Sequence, residues 1–70
     1  MVQGTVDKYS EDKGFGYILR DDGKLIYVER DSINMIGYKT LIPGDRVTFD
    51  IEKGIDGPEA KKVTRIRHNE

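Results

Sequence analysis

Lys13-Gly14-Phe15-Gly16-Tyr17-Ile18 is the stretch on which the reading of this chain turns. In an extended strand alternate side chains point to opposite faces, so Phe15 and Tyr17 share one face and Ile18 takes the other. Gly14 and Gly16 leave bare backbone on either side of Phe15, which lets a flat group approach the ring. Lys13 puts a positive charge at the entrance. Exposed aromatics flanked by glycine and introduced by a cation suit an unpaired nucleic-acid strand, whose bases stack on the rings while a phosphate meets the charge. The same residues also read as a core strand whose glycines mark a bulge.

Working outward, Val2 to Tyr9 reads as the strand before it. Val6 and Tyr9 are three residues apart, so both can face the core only if a bulge lies between them. Ser10-Glu11-Asp12 is a polar turn, and Gly14 to Arg20 is the second strand. Asp21-Asp22-Gly23-Lys24 is a hairpin signal, with Gly23 able to take positive φ. Leu25 to Glu29 is an apolar third strand. Asp31-Ser32-Ile33-Asn34 reads as a short turn of helix with Asp31 as its cap. The segment around Gly37, Thr40 and Leu41 is a loop returning across the barrel mouth. Arg46 to Glu52 alternates, placing Val47, Phe49 and Ile51 on one face. A glycine-rich turn over residues 53–58 leads to a last strand, Ala60 to Ile66.

Five short strands without a long helix need closure to avoid exposed edges, so the expected fold is all-β, a five-stranded antiparallel Greek-key barrel. Its predicted core is Val6, Tyr9, Ile18, Ile26, Val28, Ile33, Val47, Phe49, Ile51 and Val63. Seventy residues allow one domain, placed at 1–67, with 68–70 as a fraying tail. Such a chain buries only about 60% of its unfolded surface, so its core must be simple.

Composition narrows the classes further. Hydrophobic and charged residues each make up 36%. With no cysteine, neither a disulfide framework nor a zinc knuckle can support the fold. No apolar run is long enough to cross a bilayer and the N-terminus lacks the plan of a signal peptide, so a cytoplasmic protein without a membrane partner is expected. Twelve Lys and Arg against thirteen Asp and Glu give a net charge of −1, which argues mildly against nucleic acid unless the charges are sorted onto different faces.

The blocks in order resemble the cold-shock domain family, whose barrel is of the OB-fold type. Gly4-Thr5-Val6 is similar to the family's opening strand. Lys13 to Ile18 resembles its first ribonucleoprotein motif, K-G-F-G-F-I, and Ile26-Tyr27-Val28-Glu29 stands where V-F-V-H belongs. Gly37-Tyr38-Lys39-Thr40-Leu41 resembles the loop G-F-K/R-T-L, and Gly57-Pro58-Glu59-Ala60 the start of the fifth strand. The resemblance implies binding of single-stranded RNA or DNA with little sequence preference, as in RNA chaperones that melt RNA secondary structure. Carried over by position, Phe15, Tyr17, Tyr27 and Tyr38 are the stacking platforms. Lys13 and Lys39 meet phosphates, and Lys61 helps at the rim.

The departures cluster on the same face. Lys8 stands where the family usually has tryptophan, Glu29 replaces the histidine, and Arg30 replaces the following phenylalanine. A guanidinium plane stacks on bases and attracts phosphate, so Arg30 compensates in part, while Lys8 offers charge without a flat face. Binding weaker than is usual for the family is expected. Lys8, Glu29 and Arg30 are further expected to form one small ion-pair cluster. The reading from another class is a divergent barrel that has lost this binding and serves as a protein-interaction or structural module.

Other signals lead nowhere. Gly14-x-Gly16 lacks the third glycine of a dinucleotide fingerprint, and no helix follows. His68 is a lone histidine in the tail, neither acid pair has calcium-loop spacing, and no serine has a base beside it. No enzyme, cofactor, metal site or small-molecule substrate is expected, and the chain is expected to be a monomer.

Overall fold

The computed structural model describes residues 1–66; Arg67 and the predicted tail with His68 lie outside the described residues. Five strands follow in order: β1 (Val2–Ser10), β2 (Phe15–Arg20), β3 (Leu25–Glu29), β4 (Arg46–Lys53) and β5 (Pro58–Arg65). They close in the ring order β1-β2-β3-β5-β4, so no edge strand is left open. A ring with an odd number of strands cannot alternate direction at every seam. The exception falls between β3 and β5, which pair in parallel at Tyr27–Glu59 and Val28–Ala60, while every other seam is antiparallel.

The predicted bulge in β1 is present, because the β1–β2 register slips between Val6 and Lys8 and leaves Asp7 unpaired. Val6 is thereby buried, and Tyr9, three residues on, still packs against the core. A second slip in the β4–β5 ladder comes from an extra residue in β5, where Lys62 takes φ 54°. It lets Ala60 and Val63, also three apart, both point inward. The hairpin between β2 and β3 is held by Arg20 and Gly23 backbone bonds and by Asp22, whose carboxylate accepts from the Lys24 N–H at 3.1 Å.

The core comprises Val6, Ile18, Ile26, Val28, Ile33, Leu41, Val47, Phe49, Ala60 and Val63. The core departs from expectation at Ile51, at Tyr9, which is only partly buried, and at Leu41 and Ala60, which it gains. Ile51 keeps the inward phase of Val47 and Phe49, but β4 runs past the end of the barrel and leaves it 37% exposed. At the other end, Leu41 swings in from the long loop as a plug, while Ile33 bridges to Val63 and the Asn34 N–H donates to the Val63 carbonyl at 2.7 Å. A single 3-10 turn spans Arg30–Ser32, and Glu29, not Asp31, is its N-cap, without a side-chain bond. Asp31 lies inside the turn, two residues past the cap position.

Candidate nucleic-acid interface

The registers arrange the outward side chains of the sheet in two rows. The first runs Lys8, Tyr17, Tyr27, Glu59, Glu52 across β1, β2, β3, β5 and β4. The second begins Ser10, Phe15, Glu29, and the β5–β4 pair Lys61–Asp50 lies beyond it. Phe15, Tyr17 and Tyr27 meet where the rows cross β2 and β3, each half-buried and open on one side. Phe15 and Tyr27 have centroids 5.6 Å apart with planes tilted by 34°, which makes a nearly continuous shelf. Tyr17 stands edge-on to both, at 5.9 Å from Tyr27 and 6.4 Å from Phe15. The flanking residues Gly16 and Ile18 point the other way and are buried, so the reading of this stretch as a plain core strand does not hold for its rings.

Charge is graded along this face. Lys8 places its Nζ 6.0 Å from the Tyr17 centroid, in range of a cation–π contact. With Lys13 and Tyr9 it lines a cleft beside Phe15 and Tyr17. On the far side of the shelf a groove runs between Tyr17, Tyr27 and the β4–β5 turn, edged by Glu29, Asp56 and Glu59. The Tyr27 hydroxyl donates to Glu29 Oε2 at 3.2 Å. Desolvation first, and then this bond to a carboxylate, push the Tyr27 hydroxyl above its ordinary range, so it stays protonated as a donor.

The expected cluster of Lys8, Glu29 and Arg30 does not form. Lys8 sits opposite Tyr17 and Glu29 opposite Phe15, so the rings stand between them. Arg30 opens the 3-10 turn, which carries its side chain the other way, over Gly14 and onto the carbonyl of Glu11. Its backbone N–H donates to the Gly14 carbonyl at 2.9 Å. The guanidinium therefore fastens the β1–β2 turn instead of lying open as a platform. The Tyr9 hydroxyl faces it without a hydrogen bond of good geometry.

Glu11 is the residue of this region that sequence reasoning passed over. Its carboxylate accepts from the Thr40 hydroxyl at 2.6 Å and from Tyr38 Oη at 3.1 Å, tying the β1–β2 turn to the long loop. Those two bonds, Thr40 first, hold the Glu11 carboxyl below the usual range, while the same contact raises the Tyr38 hydroxyl. Tyr38 itself is 68% exposed, a ring held by its hydroxyl with its faces open to solvent. No local pattern marks Glu11, since its partners lie 27 and 29 residues away. Lys39 and Lys61 are gathered apart from the shelf, around a separate depression shared with Lys62, Asn34, Asp31 and Glu52. Lys61 is also paired with Glu59 at 3.4 Å.

A closed five-stranded barrel with an aromatic shelf and flanking lysines on its outer face defines a small β-barrel binding domain. The model of the 'Cold-shock' DNA-binding domain matches residues 2–66. The chain is 39% identical over 66 residues to the major cold shock protein of Streptococcus pyogenes serotype M1, covering 94% of this chain and 98% of that one. It is 42% identical over 65 residues to the cold shock-like protein CspC of Bacillus cereus, covering 93% and 100%. Cold shock protein 2 of Lactiplantibacillus plantarum is 44% identical over 63 residues, 90% of this chain and 96% of that one. The chain belongs to the cold-shock domain family, whose members bind single-stranded nucleic acid and are not enzymes. Among the described residues no helix is long and apolar enough to cross a membrane.

Proposed function

We propose that this chain binds unpaired RNA or DNA across β1 to β3 with little sequence preference, and that it acts as an RNA chaperone by holding strands open. The observation that carries the reading is the shelf: Phe15, Tyr17 and Tyr27 come within 6.4 Å of one another on the outer face, with Lys8 and Lys13 beside them. Bases stack on rings whatever their identity, and each stacked base contributes about 1–3 kcal/mol. Tyr38 extends the platform, with Lys39 and Lys61 receiving phosphates beyond it. Affinity is lower than is usual for the family. Lys8 occupies a tryptophan position, Arg30 is already engaged by Glu11, and the carboxylates beyond Tyr27 repel phosphate.

Quenching of tyrosine fluorescence by a short oligothymidine or oligouridine at low salt tests this. Saturable quenching that Phe15→Ala removes without unfolding the protein supports the reading. Unchanged fluorescence, together with a stable protein partner in a pull-down, supports the interaction-module reading instead.

A further inference from the structure

We infer that Glu29 selects the base stacked beside it, favouring guanine, with its two adjacent donors, over thymine and uracil. The inference rests on the single-strand reading above and adds to it a modest preference at one position. Glu29 is the direct cross-strand neighbour of Phe15, and such neighbours have Cβ atoms only about 4.5–5.5 Å apart. A base lying on the Phe15–Tyr27 shelf therefore turns one edge towards this carboxylate.

The carboxylate is both oriented and available. Tyr27 donates to its Oε2 and fixes its direction, and among the described residues Oε1 has no hydrogen-bond partner. Glu29 is exposed, and among the described residues no lysine or arginine forms an ion pair with it. Among the described residues the groove beyond is edged by Asp56 and Glu59 and lined by no cation, which disfavours a phosphate at that base edge.

An ionised carboxylate only accepts hydrogen bonds. The Watson–Crick edge of guanine presents two adjacent donors, N1–H and the exocyclic amino group, which match the two oxygens as a pair. Cytosine and adenine offer one amino group each. Thymine and uracil offer one N–H between two carbonyl oxygens, and those oxygens face the carboxylate unfavourably. Stacking holds any of them, so the discrimination arises at the edge alone.

Titrating the intact chain with a short oligothymidine, and with the same strand carrying one central guanine, tests the proposal. The guanine strand is expected to bind roughly fivefold or more tightly, the lower bound for one good paired contact. Glu29→Gln keeps an acceptor for the Tyr27 hydroxyl while removing the charge and adding a donor, and is expected to bring the two affinities within about twofold. Equal binding of both strands by the unsubstituted chain overturns the proposal, as does a preference that survives in Glu29→Gln. If neither strand binds saturably at low salt, the single-strand reading itself falls, an outcome separate from equal binding.

Discussion

Gly16 lies directly beneath Tyr9 in the β1–β2 ladder, so close that a methyl group on it would sit 2.7 Å from the Tyr9 Cα and against the Lys8 carbonyl. The bulge at Asp7 brings β1 this near, and the same approach sets Lys8 opposite Tyr17. Gly16→Ala is therefore expected to cost about 1–3 kcal/mol, towards the upper end because the obstructing atoms are backbone and cannot rotate away. Urea unfolding of the two proteins measures it, and a cost near zero would show that β1 can move outward.

The core and the rim differ in the same strand. Phe49→Ala is expected to cost about 3–5 kcal/mol, much of the roughly 4–10 kcal/mol available to a chain of this size. Ile51→Ala, at an inward-phase position that hangs past the barrel end, is expected to cost no more than about 1 kcal/mol. Equal losses would place Ile51 inside the core after all.

The tie between Glu11 and the long loop depends on pH. Its folded-state pKa lies below the ordinary value of 4.5 because Thr40 and Tyr38 donate to the ionised form. The stabilisation is thus fully present above 4.5 and is lost as pH falls through the lowered folded value. Glu11→Gln should unfold more easily than the unsubstituted chain at neutral pH, and the gap should close as the solution is acidified below 4.5. Thermal melts of both proteins across that range check it. A gap that stays constant would show that the charge contributes nothing.

At Tyr17 the ring and the hydroxyl separate cleanly. Tyr17→Ala is expected to lose about 1–3 kcal/mol of oligonucleotide affinity, and Tyr17→Phe to lose almost none, since stacking requires only the π face. Fluorescence titration of the remaining tyrosines reads both. If Tyr17→Ala binds normally, the ring is not part of the platform.

Salt dependence counts the phosphates engaged. Each contact on a single strand contributes about −0.7 to the log–log slope, so engagement of Lys8, Lys13, Lys39 and Lys61 implies a slope of about −2.8. Lys13→Ala should reduce its magnitude by about 0.7 while leaving the stacked bases in place. An unchanged slope would remove Lys13 from the contact set.

Much of this was legible in the sequence, and what was not has a definite reason. Strand phase is local, so alternation alone separated Phe15 and Tyr17 from Ile18, and the three-residue gap between Val6 and Tyr9 announced the first bulge. The equivalent gap between Ala60 and Val63 carries the same message for Lys62, but the predicted core included only Val63 of that pair. Ile51 was misassigned because periodicity states which way a side chain points and not where the barrel ends. Leu41 was missed as a plug because its partners lie across a loop without periodicity. The cluster of Lys8, Glu29 and Arg30 failed for a related reason. Closeness in a sheet depends on register, and register put aromatic rings between the charges. Glu11 could not have been found by pattern, since both of its partners are set by loop closure.

The ordering of charge across the shelf, Lys8 and Lys13 by β1 and β2 against Glu29, Asp56 and Glu59 by β3 and the β4–β5 turn, amounts to a dipole lying in the plane of this outer face. On the proposed reading a polyanion diffusing towards such a surface would feel a torque before a contact, so that encounter would begin at the lysine edge before the strand settles across the rings. On that account added salt slows arrival more than it hastens departure. Reversing the gradient by exchanging the charges at the two edges would slow capture even with every ring left in place.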